Sequence, residues 1–120
     1  MVRLLACCLL LVLLLPGALT QAQQREVAPY TLLARSTAQP AQPAFTPEQQ
    51  QWLLSRDELV LGTSAPDYPP FDISSGARDY QGLTAEYASL IGDALGLPIR
   101  VMRYPDRQAA LQALKDGDID

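Results

Sequence analysis

The sequence predicts an α/β fold, the opening part of a parallel βαβαβ sheet. Three observations carry that expectation. Strand-like apolar stretches alternate with helical ones from residue 46 onward, the helical stretches stop on glycine, and the first strand runs into a stiff, aromatic and acidic loop, "SAPDYPPFD", residues 64–72. Strands alternating with helices build βαβ units with parallel strands and right-handed crossovers.

The start of the chain stands apart from that pattern. Met1-Val2-Arg3 is a short basic lead, Leu4 to Leu15 is an unbroken apolar run, Pro16-Gly17 breaks it, and Thr20-Gln21-Ala22 offers a small-residue cleavage site. This three-part order predicts a secretory signal peptide over 1–22. The apolar run is about twelve residues, short of the roughly 20 a spanning helix needs, so a signal is expected in preference to an uncleaved anchor. No cysteine follows the small residues where a lipidated one would sit. Cys7 and Cys8 both lie in the signal, and the chain has no histidine. The mature chain therefore carries no disulfide framework, no cysteine metal site and no Ser-His-Asp or Cys-His catalytic set. No catalytic residue, cofactor or metal is expected in this segment. With a net charge of −4 and its charges interspersed, the chain has no basic stripe, and no nucleic-acid partner is expected.

Residues 23–45 are rich in Gln, Ala, Pro, Ser and Thr, with "STAQPAQPAF" as the clearest part. Proline at that density predicts a flexible, partly extended linker. "VAPYTLL" (27–33) is the exception, a strand-like stretch suited to pairing elsewhere in a larger protein. Thr46, Pro47 and Gln49 spell a capping box with proline at the first helical position, and Trp52 and Leu53 supply an apolar side. "ELVLGTS" (58–64) reads as a buried strand. "SSGARD" (74–79) reads as the tip of an irregular hairpin.

Leu83, Tyr87, Leu90, Ile91, Ala94 and Leu95 then recur at helical spacing and predict one buried face, with Gly96 and Pro98 ending the helix. "IRVMRY" (99–104) alternates Ile99, Val101 and, less strictly, Tyr104 against arginines, as a strand does. Arg100, Arg103 and Arg107 are expected to be solvated. Asp106 caps a further helix with Ala110, Leu111 and Leu114 inward and Gly117 as its stop, and 118–120 begins a third strand. A parallel sheet must be covered on both faces. The 75 residues from 46 to 120 hold two complete strands, so the chain is expected to be a fragment of a longer fold.

The opening loop supplies the candidate site. In open α/β sheets ligands sit beyond the carboxyl ends of the strands, where residues 64–72 are placed. Pro66, Pro69 and Pro70 restrict the free loop, which lowers the cost of holding its side chains ready for a ligand. Asp67 and Asp72 offer carboxylates to an ammonium group, although Asp72 also suits a turn cap. Tyr68 and Phe71 offer flat apolar faces; Phe71 also suits the core, the common fate of a large apolar residue. Tyr104 and Asp106 lie at the carboxyl end of the second strand, with strand-end packing and N-capping as their structural alternatives. The ligand-binding set expected is Asp67, Tyr68, Phe71 and Tyr104, facing a small polar organic solute such as an amino acid or organic acid.

Pro69-Pro70-Phe71 after a strand, Gly82 before an amphipathic helix, Leu95-Gly96 at its end, and Ala113-Leu114 with Gly117 and Asp120 resemble, as a set, the first lobe of the periplasmic solute-binding proteins of family 3. The resemblance covers Thr46 to Asp120. "TPEQQQWL", "APDYPPFD", "YQGLTAEY" and "RYPDRQAALQAL" look more particularly like the Venus-flytrap sensor domain of BvgS-type hybrid histidine kinases. That resemblance implies one or two such domains in the periplasm, joined by a membrane segment to cytoplasmic kinase modules. It further implies an inner-membrane anchor outside this segment, a homodimer if the protein is a sensor kinase, and a kinase activity belonging to other parts of the protein. Two other functions share the lobe: the amino-acid-binding protein of an ABC importer, and a solute-binding-like domain of a periplasmic lytic transglycosylase.

Overall fold

The computed structural model describes residues 26–120; the expected signal peptide, with Cys7 and Cys8, lies outside them. In chain order the elements are β1 (Ala28–Leu32), α1 (Pro47–Leu54), β2 (Leu59–Ser64), β3 (Ile73–Ser75), β4 (Asp79–Gln81), α2 (Leu83–Leu95), β5 (Ile99–Tyr104) and α3 (Arg107–Asp116). The strands form one sheet in the order β2-β5-β1-β4-β3. β2 and β5 run parallel, with Leu59 opposite Ile99 through to Ser64 opposite Tyr104. β3 and β4 form the expected hairpin around residues 76–78. The sheet is thus mixed, with the parallel βαβ unit at one side.

The predicted helix signals act as read. Thr46 Oγ1 accepts from Gln49 N while Gln49 Oε1 accepts from Thr46 N, closing the capping box. Asp106 caps α3 by accepting from Ala109 N at 2.8 Å. Gly96 and Gly117 end α2 and α3 in the left-handed region, at φ 69° and 80°, where a residue without Cβ is unstrained.

Alternation along β2 and β5 sends side chains to both sheet faces, and each face has its own helix. On one, Tyr80, Ala85 and Val101 form a core with Tyr30, Leu32, Leu61 and Ile99 around it. On the other, Val60, Tyr104, Ala113 and Ile119 pack together with Met102, Ala109 and Ala110. The two crossover helices therefore cover opposite faces, as a parallel sheet requires.

The buried faces of those helices differ from the expected ones. On α2 the buried residues are Ala85, Ala88 and Gly92, while Leu83, Tyr87 and Ile91 are 45%, 66% and 52% exposed. On α3 the buried residue is Ala113 and Ala110 packs against the core as expected, but Leu111 and Leu114 are about half exposed. The reason is close approach. A Cβ on Gly92 would stand 2.8 Å from the carbonyl oxygen of Leu97 and 2.9 Å from Ile99 Cγ1. Small residues let the helix lie that near the sheet, so Leu83, Tyr87 and Ile91 turn outward while Leu90, Ala94 and Leu95 stay partly buried.

Two further expectations are revised. Within the stretch read as linker, Ala28–Leu32 is a strand of this chain's own sheet. It pairs antiparallel with β5 and parallel with β4. Pro29 lies in the part of β1 that pairs with β5 alone, outside the Thr31–Leu32 register with β4, so locally it has the edge position proline tolerates. Residues 118–120 are not a regular strand here, but Asp120 N donates to Val60 O at 3.0 Å, beside the outer edge of β2, and Ile119 is buried. Among the described residues no helix is long and apolar enough to cross a membrane.

Candidate functional site

The loop after β2 folds back on itself. Tyr68 N donates to Asp72 O at 2.9 Å, and the N–H groups of Phe71 and Asp72 both donate to Tyr68 O. The bonds before Pro66 and Pro70 are cis. α2 begins against this loop, with Leu83 N donating to Pro70 O and Thr84 N to Phe71 O, each at 3.1 Å. Gly82 makes the approach possible. Its φ is 109°, and a Cβ there would run into the Phe71 carbonyl. Free amides of a helix start thus satisfy the loop's carbonyls, and the loop is held by backbone at both ends.

Asp67 anchors the loop from beneath. Its Oδ2 accepts from Ser74 N at 2.7 Å and its Oδ1 from Arg103 Nη2 at 2.6 Å. The Arg103 side chain is 13% exposed, with its guanidinium 5.7 Å from the Tyr30 ring centre. Burial pushes the Asp67 carboxyl up, but the Ser74 hydrogen bonds and the Arg103 charge outweigh it and hold it below the usual carboxylate value. Arg103 is therefore a paired interior cation, where the sequence suggested a solvated one. Arg100 is exposed as expected and pairs with Glu58 at 2.6 Å.

Tyr68 and Phe71 stack with ring centres 6.2 Å apart and remain 70% and 48% exposed. Tyr104 lies in the core beneath α3, 8% exposed, and in this arrangement its ring packs against apolar neighbours. Beside the loop a cavity of about 610 Å³ runs along β2 toward α3. Tyr68, Asp72 and Ser64 line it from the strand and loop, and Arg107, Leu111 and Leu114 from α3. Of the four predicted site residues, Tyr68 lines this cavity; Asp67 and Phe71 belong to the same loop without lining it.

Tyr80 and Thr84 also line the cavity, and the sequence reading passed over both. Tyr80 is 1% exposed, and its hydroxyl donates to the Asp72 carboxylate. Burial, then the bond to Asp72 and its charge, push the phenol well above its ordinary range. Tyr80 therefore stays protonated and donates, and Asp72 is oriented by a side chain rather than used as a turn cap. Arg107 is exposed as expected and also lines the cavity from the start of α3. Together the cavity offers apolar walls, the carboxylates of Asp72 and Asp120, one guanidinium and hydroxyls, a set able to orient a small polar molecule. Among the described residues no cluster of three His, Cys, Asp or Glu side chains could hold a metal ion.

A sheet covered by helices on both faces, with a backbone-held aromatic loop at its carboxyl ends, is the α/β arrangement expected of part of a Venus-flytrap lobe. The relatives make this specific. The chain is 42% identical over 90 residues to "Virulence sensor protein BvgS" of Bordetella pertussis (strain Tohama I), a match spanning 75% of this chain and 7% of that protein. It is 40% identical over 113 residues to the protein of that name from Bordetella parapertussis, spanning 94% and 9%. "Sensor protein EvgS" of Escherichia coli (strain K12) is 26% identical over 73 residues, 61% of this chain and 6% of that protein. The crystal structure of the B. pertussis BvgS periplasmic domain superposes with a TM-score of 0.72 at 40% identity, covering 77% of this chain and 18% of that one. No protein-family model matches the chain. The segment is therefore homologous to BvgS, has the Venus-flytrap fold of the BvgS periplasmic domain, and is a periplasmic segment. It corresponds to less than a tenth of the length of the BvgS proteins it matches.

Proposed function

We propose that this chain opens the periplasmic input domain of a transmembrane two-component sensor of the hybrid histidine-kinase type. In this reading a small polar solute, such as an amino acid or organic acid, binds between two lobes. A solute that favours the closed arrangement shifts the population toward it in proportion to its differential affinity. The observation that carries the reading is the 40% identity to a BvgS sensor across 94% of the chain. It favours a sensor over the importer and transglycosylase alternatives. Residues 1–22 serve as signal peptide, other parts of the protein supply the inner-membrane anchor, the kinase and the dimer contacts, and no cofactor is required of this segment.

The loop suggests a division of labour. Tyr68 and Phe71 present exposed aromatic faces to the solute, with Asp72 and Arg107 as charged partners in the adjoining cavity. Asp67 contributes through Arg103, by holding the loop in place, and Tyr104 by supporting the strand end. The test is thermal unfolding of the complete periplasmic domain against a panel of amino acids and organic acids. A solute that raises the midpoint, and does so at least about tenfold more weakly in concentration terms for Tyr68→Ala, supports the reading; loss of one such aromatic contact is worth about 1.5 kcal/mol. A Tyr68→Ala protein that keeps full solute affinity and full signalling would remove Tyr68 from the site.

A further inference from the structure

The stretch ahead of α1 makes two connections that the solute site does not require. β1 lies at the centre of the sheet and joins the β2–β5 pair to the β3–β4 hairpin. Thr31 N donates to Arg78 O and Leu33 N to Tyr80 O, both at 2.8 Å. Just beyond, the Glu86 carboxylate on the first turn of α2 accepts from Arg35 N at 2.9 and 3.0 Å and from Ser36 N at 2.7 Å. After Ser36 the chain is largely exposed until α1.

We propose that residues 27–36 act as a strap with Glu86 as its catch, holding the β3–β4 hairpin on the sheet and thereby setting one wall of the cavity. The hairpin strands are three residues each, and an isolated hairpin is marginal in water. Its pairing with β1 supplies the missing partner. Bonds from backbone N–H to a carboxylate are charge-assisted and about twice as strong as neutral ones, so Glu86 fixes the strap where it leaves the sheet. The hairpin carries Tyr80, whose hydroxyl orients Asp72 in the cavity. The segment that follows the expected signal peptide is in this way mechanically connected to the candidate site, whatever solute that site takes.

Hydrogen exchange on the full-length protein tests the strap without any ligand, so its outcome is separable from that of the sensing function. In Glu86→Ala the amides of Thr31, Leu33, Arg35, Ser36 and the β3–β4 hairpin are expected to exchange about tenfold faster, with the β2–β5 amides unchanged. Glu86→Gln, which keeps an acceptor and loses the charge, falls between. Faster exchange confined to Arg35 and Ser36, or no change, overturns the proposal. If Glu86→Ala also loosens α2 itself, Ser36→Pro decides, because it removes a donor and leaves the helix intact. Acceleration across the hairpin in Ser36→Pro supports the strap, and an unchanged hairpin overturns it.

Discussion

Asp67 carries the two kinds of information a residue-scale reading must separate. Its type and its place in a loop at a strand's carboxyl end suggest a ligand contact, and both are visible in the sequence. Its bonds to Ser74 N and Arg103 Nη2 join residues 7 and 36 positions away, and no local pattern announces them. Because its folded-state pKa is lowered, the pair stabilises the fold above the ordinary value of 3.8. That contribution disappears as pH falls through the depressed folded value. Asp67→Asn is expected to cost about 2 kcal/mol near neutral pH, since a mostly buried guanidinium loses its charged partner. The deficit narrows in acid as the wild-type carboxyl protonates. Urea midpoints of the complete periplasmic domain at pH 7 and at pH 3 measure both parts, and a deficit that does not shrink with acid contradicts the assignment.

At the scale of elements, the ends of helices were legible and their buried faces were not. Caps at Thr46, Asp106, Gly96 and Gly117 are local chemistry, decided within a few residues. The face a helix turns inward is decided by how near it can approach its sheet. α2 approaches on Ala85, Ala88 and Gly92, so counting large apolar residues at helical spacing put Leu83, Tyr87 and Ile91 on the buried face, where only Leu90, Ala94 and Leu95 of that set are partly buried. The junction of loop and α2 yields a sharper consequence. Gly82→Ala places a Cβ against the Phe71 carbonyl at a positive φ, and is expected to destabilise the domain by more than about 1 kcal/mol. The same change should loosen the Tyr68–Asp72 turn. Thermal melts of the variant, read with amide exchange at Phe71 and Asp72, check both; an unchanged melting temperature would show that the loop yields freely.

For the molecule as a whole, the exposed apolar surface is the informative quantity. Leu83, Tyr87 and Ile91 on α2, Leu111 and Leu114 on α3, and Tyr68 and Phe71 in the loop are all about half exposed or more. The core is divided between two small clusters on opposite faces of the sheet, and a small core stabilises weakly. The segment of residues 1–120 produced alone is expected to unfold without a sharp transition. The same residues within the complete periplasmic domain should melt cooperatively. Scanning calorimetry on both decides, and a cooperative peak from the segment alone would show that these clusters suffice.

What the sequence determined by itself is what short-range chemistry controls. The alternation of strand and helix, the helix caps, the hairpin at 74–79 and the stiff loop all follow from neighbouring residues. The family resemblance belongs to the same level, because it rests on short motifs in a fixed order. Only the tertiary structure decided that Ala28–Leu32 enters the middle of the sheet, that Arg103 is buried against Asp67 and Tyr30, that Tyr80 orients Asp72, and that the helices dock on alanine and glycine. Each of those depends on groups far apart in the chain meeting at van der Waals or hydrogen-bond distance. Such meetings are selected by packing density and by the cost of leaving polar groups unpaired, quantities defined only once the whole sheet is assembled.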